Sequence, residues 1–131
     1  MILLDTHIVL WLLRDPGKLT ETALSLIARE QQDSTILISS VSGWEIAMLA
    51  ARERVVVAGD ILKWFDGLAE ISGVRLAALD HEILVRSVDL PCAFHKDPAD
   101  RMIVATARKY GVPLVTADAR IRAYPHVQSV W

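Results

Sequence analysis

The chain has 131 residues, a formal net charge of -2 at pH 7, 53% hydrophobic residues and a mean hydropathy of +0.34, which fits one domain over residues 1–131 with a single sizeable core. An acidic balance excludes a protein that grips nucleic acid by bulk positive charge. The lone cysteine, Cys92, excludes an internal disulfide or a multi-cysteine zinc site and reads as a small buried hydrophobe, while the run Ile8–Leu13 is too short to cross a bilayer, so the expectation is a soluble, cytoplasmic protein.

Ile2-Leu3-Leu4 reads as a short buried strand that ends at Asp5, the first obligatory polar group. Ile8–Leu13 is a helix, apolar nearly all round, that stops at Arg14-Asp15-Pro16-Gly17. Thr20 caps a helix through Ile27 to about Gln32, and Thr35–Ser39 is a second, β-branched strand. A helix from Ser42 toward Arg54 carries Trp44 and Glu45; with Trp64 in the next helix, Trp44 has the spacing of a core residue. Val55–Gly59 fits an extended connection or an edge strand.

Asp60 caps the helix of Ile61 to Leu68, closed by Gly73, and Val74–Leu79 is a third strand. Asp80 caps a helix toward Pro91. Asp97-Pro98-Ala99-Asp100 opens one that ends at Gly111. Val112–Thr116 is a fourth strand, Asp118–Tyr124 a turn or short helix, and Val127–Trp131 a candidate fifth strand. Strands alternating with helices predict an α/β fold of three layers, with a mostly parallel sheet of four or five strands flanked by helices.

Such a sheet brings four acids to one rim: Asp5 after the first strand, Glu45 in the helix after the second, Asp100 in the helix before the fourth, and Asp118 past that strand's end. Two charges about 5 Å apart repel by roughly 3 kcal/mol at an effective dielectric near 20. A hard cation, Mg²⁺ or Mn²⁺, removes the conflict, acidifies a water and brings the positive charge this acidic chain lacks for holding a phosphodiester. Asp5 and Asp100 are the first metal candidates, with Glu45, Asp118 and Asp97 as further ones. Taken singly, each acid has a structural use: Asp97 as a helix cap, Asp100 as the third residue of a capping box, Asp118 as the cap of the turn after it, and Glu45 as a solvated helix residue. Thr6 and Thr116 stand ready to orient a ligand, a water or a phosphate. His7, His95, Lys96 and Arg101 are candidates for substrate phosphate, with solvated loop as the alternative.

Leu3–His7, Ser39–Ile46, His95–Ala105 and Leu114–Asp118 resemble, in order and spacing over essentially the full length, the PIN-domain family, and more narrowly the VapC-type toxins of type II toxin–antitoxin systems. The resemblance implies a Mg²⁺- or Mn²⁺-dependent endoribonuclease, often dimeric, inhibited by a small cognate antitoxin. It places the family's acids on Asp5, Glu45, Asp100 and Asp118, with Asp97 in the Asp-Pro-x-Asp-Arg variant of a subset. The all-round apolar helix at Ile8–Leu13 points to a second copy or an antitoxin segment as its cover.

Two other readings compete. One is a non-catalytic binding module of the same fold. The other is a phosphotransfer domain, which fits poorly because an aspartyl phosphatase wants a second Asp where His7 stands and a receiver wants a Lys where the last strand ends in Trp131.

Overall fold

The computed structural model describes all residues, 1–131. Ile2–Leu4 (β1) is buried along its whole length, and a strand with no polar residue is stable only at the centre of a sheet covered on both faces. It pairs in parallel with Ile36–Ser39 (β2) on one side and Leu114–Val115 (β4) on the other. Val74–Ala77 (β3) and Ser129–Val130 (β5) form the edges, giving the all-parallel order β3-β2-β1-β4-β5. Leu4 lies opposite Ile38 and Val115. The next residues, Asp5, Ser39 and Thr116, therefore share one rim, the carboxyl edge of the sheet.

Because side chains alternate across a strand, the sheet divides the core in two. Leu3, Leu37 and Leu114 face one way, onto Ile83, Leu90, Ile103, Val104 and Ile121. Ile2, Leu4, Ile36, Ile38 and Val115 face the other, onto Ile8, Val9, Ile27, Phe65 and Leu68. This is the three-layer, parallel architecture expected from the alternation of strands and helices.

The helices are Thr6–Arg14 (α1), Glu21–Asp33 (α2), Ser40–Ala51 (α3), Ile61–Leu68 (α4), His81–Val88 (α5), Pro98–Tyr110 (α6) and Ala119–Arg122 (α7), with a single 3-10 turn at Pro16–Lys18. Each α-helix begins at a side-chain cap: Asp5, Thr20, Ser39, Asp60, Asp80, Asp97 and Asp118. Helix α3 starts at Ser40 rather than Ser42, because Ser39 Oγ accepts the Val41 N–H and caps it directly from the strand end. Residues 55–59 form no strand.

Three packing expectations change. Trp44 is 53% exposed on the outer face of α3 and is not a core residue. Cys92 is exposed, at φ 59° in the loop before α6, and so is not a buried hydrophobe. The chain itself covers much of α1: Ile8, Val9 and Leu10 are buried, Trp11 lies tilted against Trp131 with ring centroids 6.0 Å apart, and Leu13 is the exposed remainder. Gly73 turns the chain into β3 at φ 80°, where an added Cβ would stand 2.2 Å from the Gln31 carbonyl oxygen. Only glycine fits there.

Candidate active site

Asp5 leaves β1 with its N–H donated to the Val115 carbonyl at 3.0 Å, which locks it against β4. Its carboxylate is almost fully buried and twice satisfied: Oδ1 accepts the Thr6 N–H at 2.7 Å, and Oδ2 accepts the Thr116 hydroxyl at 2.7 Å. Thr116 Oγ1 in turn accepts the Asp118 N–H at 3.0 Å. On the other side the Thr6 hydroxyl donates to Glu45 Oε1 at 2.6 Å and lies 2.8 Å from Ser42 Oγ. A hydroxyl has one proton; with Thr6's given to Glu45, the Ser42 hydroxyl donates to Thr6. Two threonines thus tie three of the acids to one framework.

Asp100, the third residue of α6, has its N–H held by Asp97 Oδ1 at 3.0 Å. Its own Oδ2 lies 3.1 Å from His95 Nε2 and 3.6 Å from Arg120 Nη2. The imidazole is close but off-line, so the buried Nε2 makes no hydrogen bond. Asp118 caps α7, with Oδ1 taking the N–H groups of Arg120 and Ile121 while Oδ2 faces Arg120 Nη2 at 3.2 Å.

The electrostatics follow from this crowding. Burial first, then the charges of Asp5, Asp97, Asp118 and Glu45, push the Asp100 carboxyl up to about 7. Burial also raises Glu45 and Asp5, with the Thr6 and Thr116 hydroxyls pulling the other way. Asp118 moves down: burial opposes this, but hydrogen bonds from Arg120 and from the backbone N–H groups of α7 outweigh it. His95 is held below the usual imidazole range by burial and by the positive charge of Arg120.

These donors suit a hard cation. They are carboxylate oxygens with unused lone pairs, the donor type of hard cations and not of zinc, although no three His, Cys, Asp or Glu side chains are placed to hold a metal ion as they stand.

Of the remaining candidates, His7 lies near enough for its charge to act on Asp5 and Glu45, where it opposes the effect of burial, while the others do not reach the acids. His7 is exposed and tilted against Trp11 at 6.1 Å, and Lys96 is exposed. Arg101 turns away from the acids. Its guanidinium donates to the carbonyls of Ser87 at 2.7 Å, Val88 at 3.0 Å, Phe94 at 3.1 Å and His95 at 3.2 Å, so it clamps the scaffold with four of its five N–H groups and cannot offer a phosphate a two-pronged grip without breaking that clamp. Two participants were missed in the sequence: Ser42, one helical turn before Glu45, and Arg120, two residues after Asp118. The spacing of Ser42 on the face of Glu45 was a usable signal.

Asp97 serves visibly as the cap of α6. Asp97→Ala is expected to lower stability by about 1 kcal/mol, less whatever is regained from relief of repulsion with Asp100. A denaturation midpoint unchanged from wild type would remove Asp97 from the scaffold.

Comparison with known proteins agrees with the geometry. The chain matches the PIN domain over residues 2–127. It is 36% identical to Ribonuclease VapC22 of Mycobacterium tuberculosis (strain ATCC 25618 / H37Rv) over 129 residues, 98% of this chain and 95% of that protein. Its fold is similar to structures of VapBC2 from Rickettsia felis bound to a promoter DNA fragment (TM-score 0.68, 16% identity, 99% and 98% of the two chains), and of FitAcB from Neisseria gonorrhoeae (0.66, 19%, 100% and 97%). It is similar, too, to a toxin-antitoxin complex from Klebsiella pneumoniae (0.66, 20%, 100% and 97%). With its acids gathered on the carboxyl rim of a five-stranded parallel sheet, the chain belongs to the PIN domain family.

Proposed function

We propose that this protein is a metal-dependent endoribonuclease, the toxin of a toxin–antitoxin pair, that hydrolyses RNA phosphodiester bonds with Mg²⁺ or Mn²⁺. The observation that carries the reading is the convergence of Asp5, Glu45, Asp100 and Asp118 from four different elements, three of them raised in pKa by burial and mutual charge. A fold maintains that repulsion when a cation is to relieve it. The relative named a ribonuclease and the structural neighbour named as a toxin-antitoxin complex support the same reading and with it a cognate antitoxin as the protein partner; a homodimer is our own expectation for the free chain.

Asp5 and Asp100 would hold the cation, with Glu45 and Asp118 beside them; when bound, it supplies an acidified water and stabilises the leaving oxygen. Thr6 and Thr116 keep the Glu45 and Asp5 carboxylates oriented by donating to them, so little reorganisation remains when substrate arrives. The Asp100 carboxyl must shed its proton to act as a ligand, and it does so near pH 7. Metal affinity is therefore expected to rise with pH through neutrality.

Incubating the purified protein with RNA tests this. Discrete cuts are expected with Mg²⁺ or Mn²⁺ and none after chelation. Cuts that persist in EDTA, or the absence of cuts with either metal, would overturn the reading.

A further inference from the structure

We propose that Arg120 is the protein's own counter-cation for the acid cluster: it holds the electrostatic place of the divalent ion in the free chain and, once displaced by metal, turns to a phosphate of the RNA. The idea rests on the nuclease reading and adds a role for a side chain outside the acid set.

Four acids within reach of one another need positive charge even before a metal arrives. Two side chains lie within ion-pair distance of them. His95 stands 3.1 Å from Asp100, but its ring is off-line and the buried Nε2 makes no hydrogen bond. Arg120 is permanently charged, and a single nitrogen, Nη2, bridges Asp118 Oδ2 at 3.2 Å and Asp100 Oδ2 at 3.6 Å. It joins the acid that closes β4 to the acid that opens α6, the same job a shared cation would do.

The bridge is built to let go. The Arg120 backbone is fixed by its N–H to Asp118 Oδ1 at 2.8 Å, whereas its side chain is 61% exposed and makes no hydrogen bond from the guanidinium except to Asp118. A divalent ion brought to the same carboxylates repels the guanidinium and takes its partners. Arg120 then remains tethered at the rim with its planar fork free, and a phosphodiester oxygen pair is the partner that matches this geometry. On a chain of net charge -2, a cation released beside the scissile bond matters for holding RNA.

Mn²⁺ binding to the full chain without RNA, read by electron paramagnetic resonance or calorimetry, separates the two halves. R120Q is expected to bind Mn²⁺ about three- to tenfold more tightly than wild type, the size of one or two exposed ion pairs, while its KM for RNA rises severalfold. R120K keeps the charge and is expected to bind Mn²⁺ as wild type does, yet to share the raised KM because an ammonium lacks the fork. Equal Mn²⁺ affinity in wild type and R120Q overturns the counter-cation role and leaves the nuclease reading standing if both still cleave. An unchanged KM in R120Q overturns the phosphate role. Failure of both proteins to bind Mn²⁺ or cut RNA overturns this inference together with the reading beneath it.

Discussion

Asp100→Asn is expected to lower kcat on the order of 10³-fold, the loss of roughly 4 kcal/mol of transition-state stabilisation by a correctly held metal, while making the metal-free protein more stable. The stability half follows from linkage. The Asp100 carboxyl is pushed up to about 7 in the fold, against 3.8 for an ordinary aspartate. Between those values the native state keeps a proton that the unfolded chain releases. Stability therefore falls as pH rises through that window.

The amide removes this titration, so the variant's stability should fall less steeply with pH than wild type's, the remaining slope coming from the raised Asp5 and Glu45 carboxyls. The gain at neutral pH is on the order of 1 kcal/mol, well below the full shift because solvent screens a carboxylate at the rim. Denaturation midpoints between pH 4 and 7, with and without Mg²⁺, check this. An Asp100→Asn protein that cleaves at the wild-type rate would remove Asp100 from the metal. Asp5 is the poorer choice for the test. Both its oxygens accept hydrogen bonds, so an amide nitrogen there would either face the Thr6 N–H donor to donor or force the Thr116 hydroxyl to turn from donor to acceptor.

The second large effect lies in the scaffold. Arg101→Ala is expected to cost about 3 kcal/mol, since hydrogen bonds from a charged donor contribute roughly 1.5–3 kcal/mol each and the water that replaces them recovers part. The four carbonyls it binds belong to the end of α5 and to the approach to α6. Arg101 thereby sets the loop that carries His95 and Asp97 to the rim. Arg101→Lys should rescue little, because a point charge cannot span four acceptors. A raised KM with an unchanged denaturation midpoint would instead return Arg101 to substrate binding.

The sequence made the sheet legible for a physical reason. Ile2-Leu3-Leu4 and Ile36-Leu37-Ile38 are apolar on both faces, and only a covered parallel strand needs that. Caps were equally legible, since Thr20, Asp60, Asp80 and Asp97 each stand just before an apolar period and each accepts an N–H in the structure.

What stayed hidden depends on tertiary placement. Trp44 has helical spacing suited to a core, yet it falls on the side of α3 that nothing covers. In the sequence Arg101 stands among the candidates for substrate phosphate, and Arg120 does not. One is drawn among backbone carbonyls and the other onto two carboxylates, and no local pattern distinguishes a cation that will meet C=O groups from one that will meet Asp. The four acids could be assigned to one rim from strand ends alone. The threonine hydroxyls that orient them could be suspected only as neighbours.

The central position of β1 has a temporal consequence. Asp5 precedes its partners on the sheet by most of the domain: the hydrogen bond from Thr116 to Asp5 closes a loop of 111 residues. A nascent chain can pair β1 with β2 early, yet it presents neither Asp118 nor Arg120 to Asp5 until α6 and β4 have followed. The chemistry proposed for this protein is thus withheld, by strand order alone, until the last third of the domain has emerged.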